Sequence, residues 1–173
     1  KTITTGGSIF YNLKFNNAAG GWALQDTLTV NETLTITAGN LDANDQDIHL
    51  KNGGVGVTSL VVDTNGTFTK GTGILYLEPA ELSVLFWTDN TALGQDYGNV
   101  TVGDGTNAAS VYMPAGIEID DLIANGSGTV AFIGSTIAIS GDVTETNSGG
   151  IEGENSTVTF DGLSSNYNST FTI

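Results

Sequence analysis

The sequence predicts an all-β fold, a β-solenoid (β-helix) of two tandem repeats of about 85 residues. Three observations carry the prediction. Apolar residues recur in pairs separated by one polar residue. The stretches between pairs are rich in turn formers. The order of pairs in the first half returns in the second.

The pairs begin with Leu13/Phe15, Leu28/Val30, Leu34/Ile36, Ile48/Leu50, Leu60/Val62 and Leu75/Leu77. They continue with Val100/Val102, Val111/Met113, Ile117/Ile119, Val130/Phe132, Ile137/Ile139 and Val158/Phe160. Alternation with a period of two puts both apolar members on one face of a strand and turns the residue between them to solvent. The chain holds 25 Thr, which favours strands, and 24 Gly with 16 Asn, which favour tight turns. Asn-Gly at 52–53, 65–66 and 125–126 predicts such turns. Four Lys and no Arg are too few for helices of ordinary surface composition. The stretch Glu78–Gln95 breaks the pattern and is expected as a longer strand or a short helical turn.

The repeat follows from the same pairs. Leu28, Leu34, Ile48, Leu60 and Leu75 find counterparts at Val111, Ile117, Val130, Val143 and Val158, in the same order and at a nearly constant offset close to half the chain. This divides the chain into a first repeat over 1–87 and a second over 88–173, as two units or as halves of one continuous solenoid. The alternative architecture is two tandem β-sandwich domains. Pairs this short, only a few residues apart, favour flat solenoid faces joined at corners over full sandwich strands.

The run Phe10–Asn17 (FYNLKFNN), followed by 21–43 (GWALQDTLTVNETLTITAGNLDA), resembles the repeat unit of large secreted microbial surface proteins, adhesin-like arrays whose units form β-helices. The likeness returns at 156–162 (STVTFDG). It implies an extracellular or cell-surface location and a structural or adhesive role, and it brings no active site.

Charge narrows the function classes. A net charge of −15 and a pI near 4.1 argue against nucleic acid and against an anionic membrane surface. No apolar run is long enough for membrane insertion. There are no cysteines, hence neither disulfides nor thiolate metal sites. The chain opens on Lys1, which fits a removed leader or a cut from a longer protein.

Catalysis is not expected. The single histidine, His49, lies between Ile48 and Leu50 and reads as an outward strand residue. No Gly-x-Ser-x-Gly elbow or phosphate loop is present, and the second half offers no basic group to assist paired carboxylates. No cofactor is called for. Calcium is a weak expectation at Asp42, Asp45 and Asp47, with Glu118–Asp121 a second oxygen-rich stretch; both read more simply as solvated turns. Thr-x-Thr pairs at 27/29, 33/35, 67/69, 157/159 and 170/172 raise ice binding, a lesser reading because Gly116 and Glu118 stand in the second half where Thr33 and Thr35 stand in the first. Glycosylation sequons stand at Asn31, Asn65, Asn99, Asn125, Asn155 and Asn168.

The ends of a solenoid carry open strand edges and an uncovered core, so they are capped or they associate. Both termini read as strands: Thr2, Ile3 and Thr4 at one end, and Thr170, Phe171 and Ile173 at the other. Lys1 and Lys14 lie near the first, and Glu152, Glu154 and Asp161 near the second, a layout that would set polarity between molecules. The expected function is a non-catalytic extracellular subunit of a head-to-tail filament, with the chain itself as partner. The alternative is a stalk or glycan-binding module of a surface adhesin.

Overall fold

The structure is a computed structural model that describes the chain except residues 53–55, 80–82, 93, 107–108, 127–128, 134–135, 147–149, 155, 161–166 and 169–173. Among the described residues every regular element is a strand. The first half contains β1 (Thr2–Ile3), β2 (Ile9–Phe10), β3 (Leu13–Leu24), β4 (Leu28–Val30), β5 (Leu34–Asp42), β6 (Ile48–Asn52), β7 (Val57–Thr69), β8 (Ile74–Pro79) and β9 (Ser83–Asp89). There follow β10 (Asn99–Val102), β11 (Ala109–Tyr112), β12 (Glu118–Ile119), β13 (Leu122–Asn125), β14 (Thr129–Ile133), β15 (Thr136–Ile139), β16 (Val143–Thr146), β17 (Gly150–Glu154), β18 (Thr157–Phe160) and β19 (Tyr167–Asn168).

Strands adjacent in sequence lie in different sheets, and each pairs with a strand one turn of the coil away, always parallel. This is the solenoid, and it replaces the sandwich alternative, whose strands pair antiparallel. The inward members of the pairs form continuous columns. On one face Leu28, Ile48, Leu75, Val100, Leu122 and Val143 stand in register, and each is buried. On another, Leu13, Leu34, Leu60 and Trp87 stack in the same way. Parallel sheets require both faces to be chemically satisfied. Here the inner face buries aliphatic side chains, and the outer face carries the Thr and polar residues between them.

The coil has three faces. β3, β5 and β7 are longer than the sequence pairs suggest, at 12, 9 and 13 residues. Each turns a corner within the strand. In β5 the corner is at Ala38–Gly39, where Gly39 has φ +90 and a Cβ would collide with the carbonyl oxygens of Asn17 and Gly20. The N-terminal half of each long strand therefore lies on a first face and its C-terminal half on a second. β9, β11, β14 and β17 continue the first face. The second face starts at β1, runs through the three C-terminal halves to residues 95–97, and continues into β12, β15 and β18. The backbone bridge Asp96–Glu118 and the 5.2 Å ring stack of Phe68 on Tyr97 join its two parts. The third face is β2, β4, β6, β8, β10, β13, β16 and β19.

The paired strands set a period of their own and turn one expected reversal into a corner. The structural period is one turn of the coil, far shorter than half the chain: Leu13 pairs with Leu34, and Leu60 with Trp87. Residues matched by the half-chain offset fall on different faces, with Ile48 on the third and Val130 on the first. Strand pairing is unbroken at 87–88, inside β9. Asn65-Gly66 forms no reversal; it is a corner within β7, where a Cβ at Gly66 would collide with the Ile36 carbonyl. The stretch Glu78–Gln95 contains the seven-residue strand β9, the longer strand of the two expected alternatives.

Candidate assembly interface

At its first end the coil begins part-way round a turn. β1 pairs along one edge with Ala23 and Leu24 only; Ala23 N–H donates to Lys1 O at 2.7 Å and Gln25 N–H to Ile3 O at 2.8 Å. Its opposite edge has no neighbour among the described residues. The first-face half of β3, Leu13–Asn16, pairs above with β5, and no described strand lies beneath it. Leu13 N–H donates upward to Thr33 O at 3.0 Å. Backbone groups alternate in direction along a parallel strand, so the N–H and C=O of Lys14 face the open side. Lys1, Thr2 and Thr4 are exposed and Ile3 is half-buried. Ile9 and Tyr11 are 61% and 67% exposed, the highest among the described large apolar residues.

A carboxylate organises this end. Asp26 accepts Thr5 N–H at 2.7 Å and Gly6 N–H at 2.8 Å, and Thr5 Oγ1 donates to Thr27 O at 3.0 Å. The Thr5–Ser8 turn that carries the chain from β1 to β2 is thereby tied to the turn above it. The backbone N–H of Thr5 holds the Asp26 carboxyl below its ordinary value, against the opposing effect of desolvation.

Among the described residues the columns run out at the second end. Phe160 continues the inward column of Ile119 and Ile139, yet is 42% exposed where those two are buried. β17, β18 and β19 each pair on one side only among the described residues. Glu152 is exposed on the outer side of β17; Glu154 ends that strand and is placed by its backbone alone. Thr170, Phe171, Ile173 and Asp161 lie outside the described residues. Lys14 is exposed at the other end of the same sheet. One inward position breaks the apolar rule: Val30, Leu50, Leu77, Val102 and Ala124 are followed in register by Glu145, whose Oε1 is buried without a hydrogen-bond partner. The pairing rule alone does not pick it out, because Val143 and Glu145 form no apolar pair.

The remaining candidates serve the coil's own turns. His49 is flanked by buried Ile48 and Leu50; its ring stacks on Tyr76 at 4.4 Å and its Nδ1 lies 3.0 Å from Glu78 Oε2. Asp42 accepts Asn44 N–H, Asp45 accepts Thr72 N–H and Asp47 accepts Ile74 N–H, at 2.8 to 2.9 Å. Asp120 receives Lys70, and Asp121 accepts Asp142 N–H. Among the described residues no group of three or more His, Asp or Glu converges to hold a metal ion. Among the described residues the Thr pairs do not stack on one another: Thr29 stands in register with His49, and Thr35 between Lys14 and Val61, while Thr170 and Thr172 lie outside the described residues. Asn31 and Asn65 are exposed, Asn99 and Asn125 are half-buried, Asn168 is placed by its backbone alone and Asn155 lies outside the described residues. No described helix is long and apolar enough to cross a membrane. Comparison with protein-family models, with curated proteins and with solved structures returns no match.

Proposed function

We propose that this protein is a non-catalytic extracellular subunit that assembles head to tail into a filament, each copy adding its strands to the open end of the next. The supporting observation is that strand edges at both ends of the coil have no neighbour among the described residues while apolar side chains there remain exposed, Ile9 and Tyr11 at one and Phe160 at the other. Such edges pair with other chains, and a heterologous contact that does not close produces a filament. Parallel pairing makes the two ends distinct, so the natural contact is head to tail.

Electron microscopy of the purified 173-residue chain tests this. Among the described residues the third face holds eight strands. At about 4.8 Å per strand, a continuous stack repeats every ~38 Å along the fibre axis. Fibres with that repeat support the reading. A species that sediments as a monomer at millimolar concentration sinks it.

A further inference from the structure

We infer that the outer side of the first face carries a docking site for an arginine side chain of another protein, held between the Tyr112 ring and the Glu152 carboxylate. The site goes beyond the filament reading and stands apart from it, because it is built from side chains on the flank of the coil and not from backbone edges at its ends.

One outward column carries the inference. Phe86, Tyr112, Ala131 and Glu152 stand in register on β9, β11, β14 and β17, four successive levels of the face. Their chain neighbours Leu85, Val111, Val130 and Ile151 are buried, so alternation turns the column to solvent. The Phe86 and Tyr112 rings stack 5.1 Å apart and 12° from parallel, and Phe86 is 39% exposed. One face of the Tyr112 ring is thus covered by Phe86, and the other looks along the column. There the ladder of rings stops. At the next level stands only the recessed methyl of Ala131. Gly150, on the same side of β17 as Glu152, has open space where a Cβ would project. The result is a slot floored by Ala131 and Gly150, with the Tyr112 ring as one wall and Glu152 as the other, two strand spacings or about 10 Å apart.

The chemistry of the slot selects its occupant. Glu152 is exposed and has no ion-pair partner among the described residues. Residues 71–173 hold thirteen acids and no base, so this surface complements a cation. A guanidinium is planar, stacks on an aromatic face and presents paired N–H donors to a carboxylate, which satisfies both walls at once. An ammonium is a compact, strongly hydrated point charge and gains less from the ring. A neutral sugar would cover the ring and leave Glu152 without a countercharge. The chain contains no Arg, so the side chain comes from a partner of different sequence.

Fluorescence anisotropy of a labelled tetra-arginine peptide, with tetra-lysine as its equal-charge comparison, tests this on the 173-residue chain. At about 0.15 M NaCl tetra-arginine should bind at least about fivefold more tightly than tetra-lysine. Tyr112→Leu, Ala131→Leu and Glu152→Gln should each weaken arginine binding about tenfold. Tyr112→Phe keeps the ring and should bind like the unsubstituted chain. Glu118→Gln removes an exposed carboxylate on the second face and should change affinity less than about twofold. Circular dichroism checks that each variant keeps the fold. Equal affinity for the two peptides, or an equal loss from Glu118→Gln and Glu152→Gln, overturns the site and leaves only diffuse attraction to an acidic protein. Binding of cellohexaose that is lost with Tyr112→Leu and kept with Glu152→Gln overturns it in favour of a neutral glycan. None of these results depends on whether the chain forms fibres.

Discussion

Lys70 Nζ donates to both carboxylate oxygens of Asp120, at 2.8 and 2.7 Å, from a position far earlier in the sequence. The same ammonium lies 2.6 Å from Asp96 Oδ2, and Ser140 Oγ donates to Asp120 Oδ1 at 3.1 Å. Four successive turns of the coil are thus pinned at one corner. Burial acts to lower the Lys70 ammonium, but the hydrogen bonds and negative charges of Asp120 and Asp96 outweigh it and hold the group above its ordinary value. A raised lysine stabilises the fold fully below its unfolded value of 10.5, and that contribution is lost as pH climbs from there through the folded value. Lys70→Met should lower stability by about 1 kcal/mol at pH 7, since the pair is a third exposed and partly screened. Urea unfolding at pH 7 and above pH 10.5 reads it: the difference between wild type and variant should shrink at the higher pH.

Asp26 offers the opposite sign. Its carboxyl is held below the ordinary value, so its contribution is present above the unfolded value of 3.8 and lost as pH falls through the folded one. Asp26→Asn should release the Thr5–Ser8 turn, speed amide exchange in β1 and β2, and leave exchange in β13–β16 unchanged. Uniform protection across both regions would mean the turn is held by something else.

Much of this coil is written in its alternating pairs. Leu34/Ile36, Ile48/Leu50 and Val130/Phe132 are inward residues of parallel strands, as period two requires. The corners are harder to read. At Gly66 a glycine is needed because the Ile36 backbone passes close by, and the same Asn-Gly dipeptide elsewhere signals a reversal. The true period is hidden because the turns differ in length, as the steps from Leu13 to Leu34 and from Leu60 to Trp87 show. Unequal turns sum to a near-constant offset that mixes faces. The open edge of β3 depends on which strand lies beneath which, and that follows from coil phase, not from any local motif.

Gly39→Ala tests the corner. Alanine would have to adopt φ +90 and drive its Cβ into the Asn17 and Gly20 carbonyl oxygens. Backbone strain alone costs on the order of 1–3 kcal/mol, so the melting temperature should drop by several degrees. Gly21→Ala, where a Cβ meets open space, is the matched control and should change little.

Glu145→Leu should stabilise. It replaces a carboxylate with a buried, unpartnered oxygen by the aliphatic type that fills the five positions before it in the column. An unsatisfied buried polar group costs about 1–3 kcal/mol, and a rise of about 1 kcal/mol in unfolding free energy is expected. A loss of stability would show that Glu145 has a partner.

Salt should speed assembly. Residues 1–70 hold four Lys and six acids, and the rest of the chain thirteen acids and no base, a net −2 against −13. Tail-to-tail approach brings the two −13 regions together, so the charge layout itself disfavours it relative to head to tail. An end lysine such as Lys14 attracts an acidic residue of a neighbouring molecule only weakly across about 10 Å of water. One such attraction in water amounts to roughly 0.4 kcal/mol. It is outweighed at long range by repulsion between two molecules of net charge −15. Screening with a Debye length of ~8 Å at 0.15 M removes most of that repulsion while hydrogen bonding and apolar burial at the joint persist. Fibre elongation followed by light scattering should therefore rise several-fold between about 10 mM and about 150 mM NaCl. Lys14→Glu should slow it at low salt and approach wild type by about 0.5 M. A rate that falls with added salt would mean that specific charge pairs across the joint, and not strand addition, drive growth.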